Sequence, residues 1–153
     1  MTSHILVIDD DPVVLALTER FLQCGNYEIF LVDNGNDAIT MAIELKPDVI
    51  LLDLMMPAID GWTVLSVLKE NLVTQNIPVI LLSMLDEQNL GYDMGAIEYL
   101  RKPVDWDKLF QLIDEIRPCS QNKKILVLDN KSSFRDVLSN NLNKLGWQVI
   151  SVD

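Results

Sequence analysis

The chain has 153 residues, of which 49% are hydrophobic and 23% are charged, and its net charge is −11. This composition supports a packed core and excludes a disordered or fibrous protein. No apolar run approaches the roughly 18 residues of a membrane-spanning helix, and the first residues lack a signal-peptide pattern. Cys24 and Cys119 are too few and too far apart for a disulfide framework or a zinc site. We therefore expect a cytoplasmic protein that has no membrane partner.

The charge is divided unevenly along the chain. Residues 1–117 contain 20 acidic and 7 basic residues, whereas residues 118–153 contain 3 acidic and 5 basic residues. Because phosphate backbones repel a strongly acidic body, we expect no direct binding of nucleic acid. An acidic cluster instead suits a divalent cation or a basic partner. The change of charge near Arg117 also indicates a domain boundary.

Five short runs rich in Ile, Val and Leu alternate with helical segments in residues 1–117. Within each run, apolar residues follow one another without alternating polar residues. Such continuous apolar runs are typical of strands that are covered on both faces in a parallel sheet. The predicted strands lie at 5–8, 29–32, 49–52, 77–82 and 97–100, and the predicted helices at 12–22, 38–45, 62–72, 86–94 and 105–116. This order predicts a doubly wound α/β domain with a five-stranded parallel sheet in the flavodoxin-like order 2-1-3-4-5.

Polar side chains follow the predicted strands at the ends where sites form in an open parallel sheet. They are Asp9, Asp10 and Asp11 after strand 1, Asp53 after strand 3, Ser83 after strand 4 and Lys102 after strand 5. Clustered carboxylates do not all stay ionised without a counter-cation, and oxygen ligands with room for water favour Mg²⁺. Taken singly, Asp11 is explained as a helix cap, Ser83 as a loop hydroxyl and Lys102 as a surface charge. Their joint placement is what indicates a site.

These residues lie in motifs that resemble the receiver domain of bacterial two-component response regulators. The matching strings are Ile5-Leu-Val-Ile-Asp9-Asp10-Asp11-Pro12, Pro47-Asp48-Val-Ile-Leu-Leu-Asp53-Leu-Met-Met-Pro57-Ala-Ile-Asp60-Gly61, Ile77-Pro-Val-Ile-Leu-Leu-Ser83 and Gly95-Ala-Ile-Glu-Tyr99-Leu-Arg-Lys102-Pro103. The resemblance implies that Asp53 accepts a phosphoryl group from the phosphohistidine of a sensor histidine kinase or a histidine phosphotransfer domain. It also implies that the domain is not an independent enzyme, because it promotes only its own phosphorylation and dephosphorylation. Its output would pass to downstream domains of a longer parent chain.

The resemblance also implies two sets of ligand residues. The Mg²⁺ ligands would be oxygen atoms, from Asp10, Asp53 and the backbone carbonyl of Met55 directly and from Asp9 through water. Ser83 and Lys102 would contact phosphoryl oxygens, because the charge of a transferring phosphoryl group must be neutralised.

By the same resemblance, Ser83 and Tyr99 would form the conformational switch, and the bond between Lys102 and Pro103 would be cis. The sequence departs from the family in two places. Met84 follows Ser83 where a small residue is usual, which would narrow access to the acyl phosphate. The stretch from Ser83 to Tyr99 is shorter than usual by about one helical turn, so we expect a short or partly unwound fourth helix.

Three alternatives to a phosphoacceptor domain come from other functional classes. An Mg²⁺-dependent phosphohydrolase of the haloacid dehalogenase type also forms an aspartyl phosphate, but it needs a general acid two residues after the nucleophile. That position is Met55, whose side chain we expect to pack in the core. A nucleotide-binding module is disfavoured because no Gly-x-Gly-x-x-Gly or Walker loop follows any strand. The third alternative is a degenerate receiver that serves only as a docking module, although every matching position is filled.

The residues after Arg117 repeat the start of the domain. Residues 118–123 are a predicted linker, and Ile5–Asp33 then aligns without a gap with Ile125–Asp153 at a constant offset of 120. We expect a β-α-β extension over 124–153, a truncated second receiver-like domain with strand 124–128, helix 132–145 and strand 148–152. Because one helix cannot cover both faces of such strands, we expect residues 123–153 to dock on a neighbouring surface or to mediate a homodimer.

The acidic positions are only partly repeated in this extension. Asn130 stands at the position of Asp10, and Lys131 follows it. A neutral amide and a cation at these positions weaken Mg²⁺ binding. The position that corresponds to Asp53 lies beyond residue 153, so we expect no phosphorylation in this second copy.

Overall fold

The computed structural model describes residues 2–116, 124–128, 140 and 148–152. The chain divides into two compact units, Met1–Arg117 and Pro118–Asp153. Among the helices in the described part of the chain, none has the length and hydropathy that crossing a bilayer requires.

Strands and helices alternate along the first unit. The strands are β1 (Ser3–Ile8), β2 (Tyr27–Val32), β3 (Val49–Asp53), β4 (Val79–Ser83) and β5 (Glu98–Arg101). The helices are α1 (Pro12–Leu22), α2 (Gly35–Leu45), α3 (Gly61–Glu70), α4 (Gln88–Asp93) and α5 (Trp106–Ile116). All neighbouring strands run parallel in the order β2-β1-β3-β4-β5. The predicted fold class and strand order are confirmed.

Apolar side chains on both faces of the sheet form the core of this unit. β3 and β4 are buried at every position, because helices cover both faces of a parallel sheet. One face packs against α2 and α3, and the other packs against α1 and α5. The central strands are therefore enclosed on both faces, and their carboxyl ends bring the residues that follow them to one edge of the sheet.

Helices α1, α2 and α3 begin with side-chain caps at the end of the sheet where the predicted site lies. Asp11, Asn34 and Asp60 each accept a hydrogen bond from a backbone N–H in the first turn of α1, α2 and α3. These caps satisfy backbone donors that have no partner within the helix. The prediction that Asp11 caps a helix is confirmed, and Pro12 follows it inside the first turn.

Gly61 allows α3 to start very close to the end of β3. A Cβ atom at this position would lie 2.3 Å from the carbonyl oxygen of Asp53. The Gly61 N–H also donates to the carbonyl oxygen of Leu54 at 3.0 Å. Any side chain at position 61 would therefore displace the backbone that carries Asp53.

Several predicted boundaries differ from the structure by one to three residues, and two of these differences have a local cause. β4 begins at Val79 rather than Ile77, because Pro78 has no N–H to give to a strand ladder. α3 ends at Glu70, Asn71 is extended, and Leu72 is 84% exposed, so the helix does not reach residue 72. α4 has only six residues, which agrees with the expected short fourth helix.

The second unit contains β6 (Lys124–Leu128) and β7 (Gln148–Val152), which form a parallel two-stranded sheet. Both strands occupy the residues predicted for them. Their register reproduces that of β1 and β2 at the offset of 120, since Lys124 pairs with Gln148 just as His4 pairs with Glu28. The predicted linker 118–123 and helix 132–145 lie outside the described residues, except that Asn140 is helical.

Candidate functional site

Four strands bring polar side chains to one edge of the sheet. Asp9 and Asp10 follow β1, Asp53 ends β3, Ser83 ends β4 and Lys102 follows β5. One carboxylate oxygen from each of Asp9, Asp10 and Asp53 lies within 4.8 Å of the other two. The predicted convergence of these carboxylates is therefore present in the structure.

Lys102 lies between two of the carboxylates. Its Nζ atom is 2.8 Å from Asp9 Oδ2 and 3.1 Å from Asp53 Oδ1. The three side chains are almost enclosed, with 16% of Lys102, 3% of Asp9 and 5% of Asp53 exposed. The backbone N–H of Lys102 also donates to the Ser83 carbonyl at 2.8 Å, and the Lys102–Pro103 peptide bond is cis as expected. The ammonium group is thus placed directly beside Asp53.

Burial and charge act in opposite directions on this pair. Burial raises the pKa of Asp53, and repulsion from Asp9 raises it further, whereas the Lys102 ammonium and a backbone hydrogen bond from Met55 lower it. The net pKa of Asp53 lies above its usual value. Burial lowers the pKa of Lys102, but its interactions with Asp9 and Asp53 outweigh burial and leave that pKa above the usual value. Lys102 therefore remains a cation beside the two carboxylates.

The donor set of this cluster fits a magnesium ion. It consists only of carboxylate oxygens, which are the ligands that Mg²⁺ prefers. Three carboxylates and one ammonium leave two formal negative charges, which a divalent cation would balance. Asp9 and Asp53 are buried, but Asp10 is exposed. Its exposed side leaves room for the water molecules that Mg²⁺ commonly keeps.

Leu85 links the predicted switch residues, and the sequence patterns did not reveal this link. Its backbone N–H donates to Ser83 Oγ at 3.1 Å, and its carbonyl accepts a hydrogen bond from the Tyr99 hydroxyl at 2.5 Å. Ser83 is fully buried and Tyr99 is 3% exposed. One residue of the loop after β4 therefore contacts both side chains, although 14 residues separate Leu85 from Tyr99.

Two methionines near the site have exposed side chains. Met55 is 55% exposed and Met84 is 63% exposed. The expectation that the Met55 side chain packs in the core was wrong, because β3 ends at Asp53 and the chain leaves the sheet there. The following Met56 is 7% exposed and belongs to the core.

Comparison with known proteins identifies the family of this site. The model of the response regulator receiver domain matches residues 5–114. The chain belongs to this family. Its function is that of a receiver in two-component signalling, and the phosphohydrolase and docking-only alternatives are not favoured.

Individual relatives agree with this assignment. The chain is 38% identical to the response regulator PleD of Caulobacter vibrioides in an alignment 166 positions long. The alignment covers the whole of this chain and 35% of PleD. It is 32% identical to protein PilH of Pseudomonas aeruginosa, with 74% of this chain and 97% of PilH covered. The chain thus spans about a third of PleD, but nearly all of PilH.

A solved structure supports the same fold. The receiver domain of the sensor histidine kinase PA1611 from Pseudomonas aeruginosa matches with a TM-score of 0.69 and 25% identity, covering 75% of this chain and 97% of that one. The PA1611 receiver has a magnesium ion coordinated in its active site cleft.

Proposed function

We propose that Asp53 is the phosphoacceptor of this receiver, and that a sensor histidine kinase or a histidine phosphotransfer domain supplies the phosphoryl group. The observation that carries this proposal is the contact between the buried Asp53 carboxylate and Lys102 Nζ, beside Asp9. In the transfer, the bond between phosphorus and the partner's histidine nitrogen breaks as an Asp53 oxygen bonds to phosphorus. The released imidazole takes up a proton from solvent, and the product is an acyl phosphate.

Asp10, Asp53 and the Met55 carbonyl would hold Mg²⁺ directly, and Asp9 would hold it through water. When bound, the ion supplies positive charge that offsets the charge of the phosphoryl oxygens. The exposed position of Asp10 and the all-oxygen donor set support this assignment, and so does the magnesium ion in the related PA1611 receiver.

Two side chains of the site would then bind the phosphoryl oxygens. Lys102 Nζ lies 3.1 Å from Asp53 Oδ1, so a phosphoryl group on Asp53 comes within reach of the ammonium. The Ser83 hydroxyl accepts a hydrogen bond from Leu85 N–H. Its own hydrogen therefore remains available for a phosphoryl oxygen.

Movement of Ser83 toward that oxygen would be transmitted through Leu85. The Leu85 N–H contacts Ser83 and its carbonyl contacts Tyr99, so a shift of the loop changes the surroundings of both residues. This arrangement supports the assignment of Ser83 and Tyr99 as the conformational switch.

The partner that carries the phosphohistidine would dock on α1. Val13, Leu17 and Phe21 are spaced four residues apart and are 63%, 43% and 38% exposed, so they form an apolar stripe on this helix. The stripe begins directly after the acidic residues that follow β1, and Phe21 stacks on Trp106 of α5 at a ring distance of 4.3 Å. A helix packed on this stripe would hold its histidine close to Asp53.

The domain would promote only its own phosphorylation and dephosphorylation, because Met55 offers no proton to a leaving group. Its output would act on downstream domains of a longer chain, which accords with the 35% of PleD that this chain spans. We also propose that the protein acts in the cytoplasm.

The second unit is proposed to be a receiver-like copy without phosphoacceptor function. The register of β6 and β7, which copies that of β1 and β2, supports this view. The PleD alignment also extends over the whole chain. Asn130 at the position of Asp10 argues against metal binding in this unit. We also propose that residues 123–153 mediate a homodimer, which would cover the apolar faces of β6 and β7.

The proposal is tested by labelling with acetyl phosphate and Mg²⁺. The wild type should gain one phosphoryl group, and Asp53→Asn should gain none while it keeps its fold by circular dichroism. Asp60→Asn is the matched control, since Asp60 caps α3 without contacting the cluster. Equal labelling of Asp53→Asn and the wild type would contradict the assignment.

A further inference from the structure

The two edge strands of the sheet differ in the features that hinder pairing with another strand. β5 has four residues and carries a charged residue at each end, Glu98 and Arg101. β2 has six residues, of which only Glu28 is charged, and it contains neither lysine nor proline. Its register with β1 runs through all six residues without a bulge. Short length, charge, proline and bulges are the usual means of blocking an exposed edge, so the β2 edge is far less protected than the β5 edge.

Part of the β2 backbone faces away from the sheet. The Val32 carbonyl accepts a hydrogen bond from the Asp9 N–H at 3.1 Å, so Val32 turns its backbone groups toward β1. In a parallel ladder, successive residues turn these groups to opposite sides, and those of Ile29 and Leu31 therefore point outward. No residue in the described part of the chain forms backbone hydrogen bonds with Ile29 or Leu31 from that side. These groups are available to a further strand.

A groove of about 430 Å³ lies beside the carboxyl-terminal half of β2. Its apolar lining comes from Leu15 of α1, Leu31 of β2 and Met41 of α2. The volume falls within the roughly 300–1,000 Å³ that ligand sites usually occupy. A strand added at this edge would therefore find an apolar recess for its side chains.

The charged side chains that line this groove are all acidic. Asp33, Asp37 and Glu44 are exposed there, and among the described residues no basic side chain lines it. Neighbouring carboxylates attract cationic groups. A second copy of the chain would instead bring another acidic body to this edge, since residues 1–117 contain 20 acidic and 7 basic residues. The charge therefore favours a basic segment of a different protein as the occupant.

We propose that the β2 edge, which comprises Tyr27–Val32 and the adjoining groove, binds an extended basic segment of a partner protein as a sixth strand of the sheet. Backbone hydrogen bonds to Ile29 and Leu31 supply affinity. Apolar side chains of the segment enter the groove, and lysine or arginine side chains lie beside its carboxylates. This surface uses other residues than the apolar stripe on α1, and binding here does not depend on the chemistry of Asp53.

The test titrates the full chain with a short synthetic peptide of alternating lysine and valine that is blocked at both ends. Calorimetry measures the affinity, which should fall as salt is added. In NMR spectra, the peptide should slow solvent exchange of the Ile29 and Leu31 amides. The same peptide with N-methylated backbone amides cannot donate hydrogen bonds, so it should bind roughly tenfold more weakly although its charge is unchanged.

Variants of the chain separate the contribution of the backbone from that of charge. Leu31→Pro removes an outward N–H and leaves the ladder with β1 intact, so it should weaken binding roughly tenfold. Asp37→Asn combined with Glu44→Gln should weaken binding several-fold and reduce its salt dependence. Asp93→Asn combined with Glu87→Gln is the matched control, because it removes two exposed charges near α4 and should leave the affinity unchanged.

Three results would overturn the proposal. The first is equal affinity for the methylated and unmethylated peptides, which would show that charge alone attracts them. The second is no binding at millimolar peptide. The third is protection of the Ile29 and Leu31 amides that rises with the concentration of the chain alone, which would assign this edge to a second copy. If Leu31→Pro fails to fold, the methylated peptide still decides, since it needs no change in the protein.

Discussion

Replacement of Lys102 by alanine should destabilise the first unit strongly, and Mg²⁺ should reverse part of the loss. Lys102 Nζ contacts both Asp9 and Asp53, and the two carboxylates are at most 5% exposed. Removing one partner of a buried ion pair leaves an uncompensated charge and costs about 3–5 kcal/mol. Because 16% of the Lys102 side chain is exposed and water screens part of the interaction, we expect a loss at the lower end of this range, about 3 kcal/mol. This corresponds to a melting temperature lower by roughly 10 °C.

A divalent cation among the carboxylates supplies positive charge in place of the lost ammonium. An ion that binds only the folded state stabilises it by about 1.4 kcal/mol at ten times its dissociation constant. Because the ammonium no longer repels the cation, Lys102→Ala should bind Mg²⁺ roughly ten times more tightly than the wild type, so in Mg²⁺ that saturates both proteins its loss should be smaller than in a chelator by about 1.4 kcal/mol. Urea unfolding followed by circular dichroism under both conditions measures this difference.

Lys69→Ala is the matched control. Lys69 is also partly buried, and burial lowers its pKa, but its Nζ atom donates to two backbone carbonyl oxygens, those of Gln75 and Ile77, at 3.2 and 2.9 Å. Its removal should destabilise the unit by an amount that Mg²⁺ does not change. An Mg²⁺-independent loss in Lys102→Ala, or a loss below about 1 kcal/mol, would refute the electrostatic reasoning.

Asp10→Asn should remove most of the rise in melting temperature that Mg²⁺ gives to the wild type, because Asp10 is the exposed carboxylate of the cluster. Calorimetry with and without Mg²⁺ measures this, and an unchanged rise would refute the role of Asp10. Leu17→Glu should slow phosphorylation by a kinase roughly tenfold but leave the reaction with acetyl phosphate unchanged, and equal rates with the kinase would argue against docking on α1. In sedimentation, residues 1–153 should form a dimer and residues 1–117 a monomer, and two monomers would exclude a dimer through residues 123–153.

The fold and the acidic cluster could be predicted because their signals are local and repeated. The continuous apolar run at 49–52 shows that its strand is buried on both faces, and topology then places Asp53 beside the acids after β1. The constant offset of 120 likewise predicted the positions of β6 and β7 without any structural information.

Other features depend on tertiary contacts that a local pattern does not contain. The spacing of apolar residues in α3 continues to Leu72, which suggested a longer helix. The backbone is extended at Asn71, however, and the Leu72 side chain is exposed. The contact between Leu85 and Tyr99 joins a loop to a strand and involves a backbone carbonyl, which carries no residue-specific signal.

Chemical mapping of the modified side chain shows whether Asp53 carries the phosphoryl group. The full chain is phosphorylated with acetyl phosphate and Mg²⁺ and then reduced with borohydride, which converts an aspartyl phosphate to homoserine. Peptide mass spectrometry should find homoserine at position 53, with Asp9 and Asp10 unmodified. Homoserine at another aspartate, or none anywhere in a protein that has incorporated phosphate, would contradict the assignment.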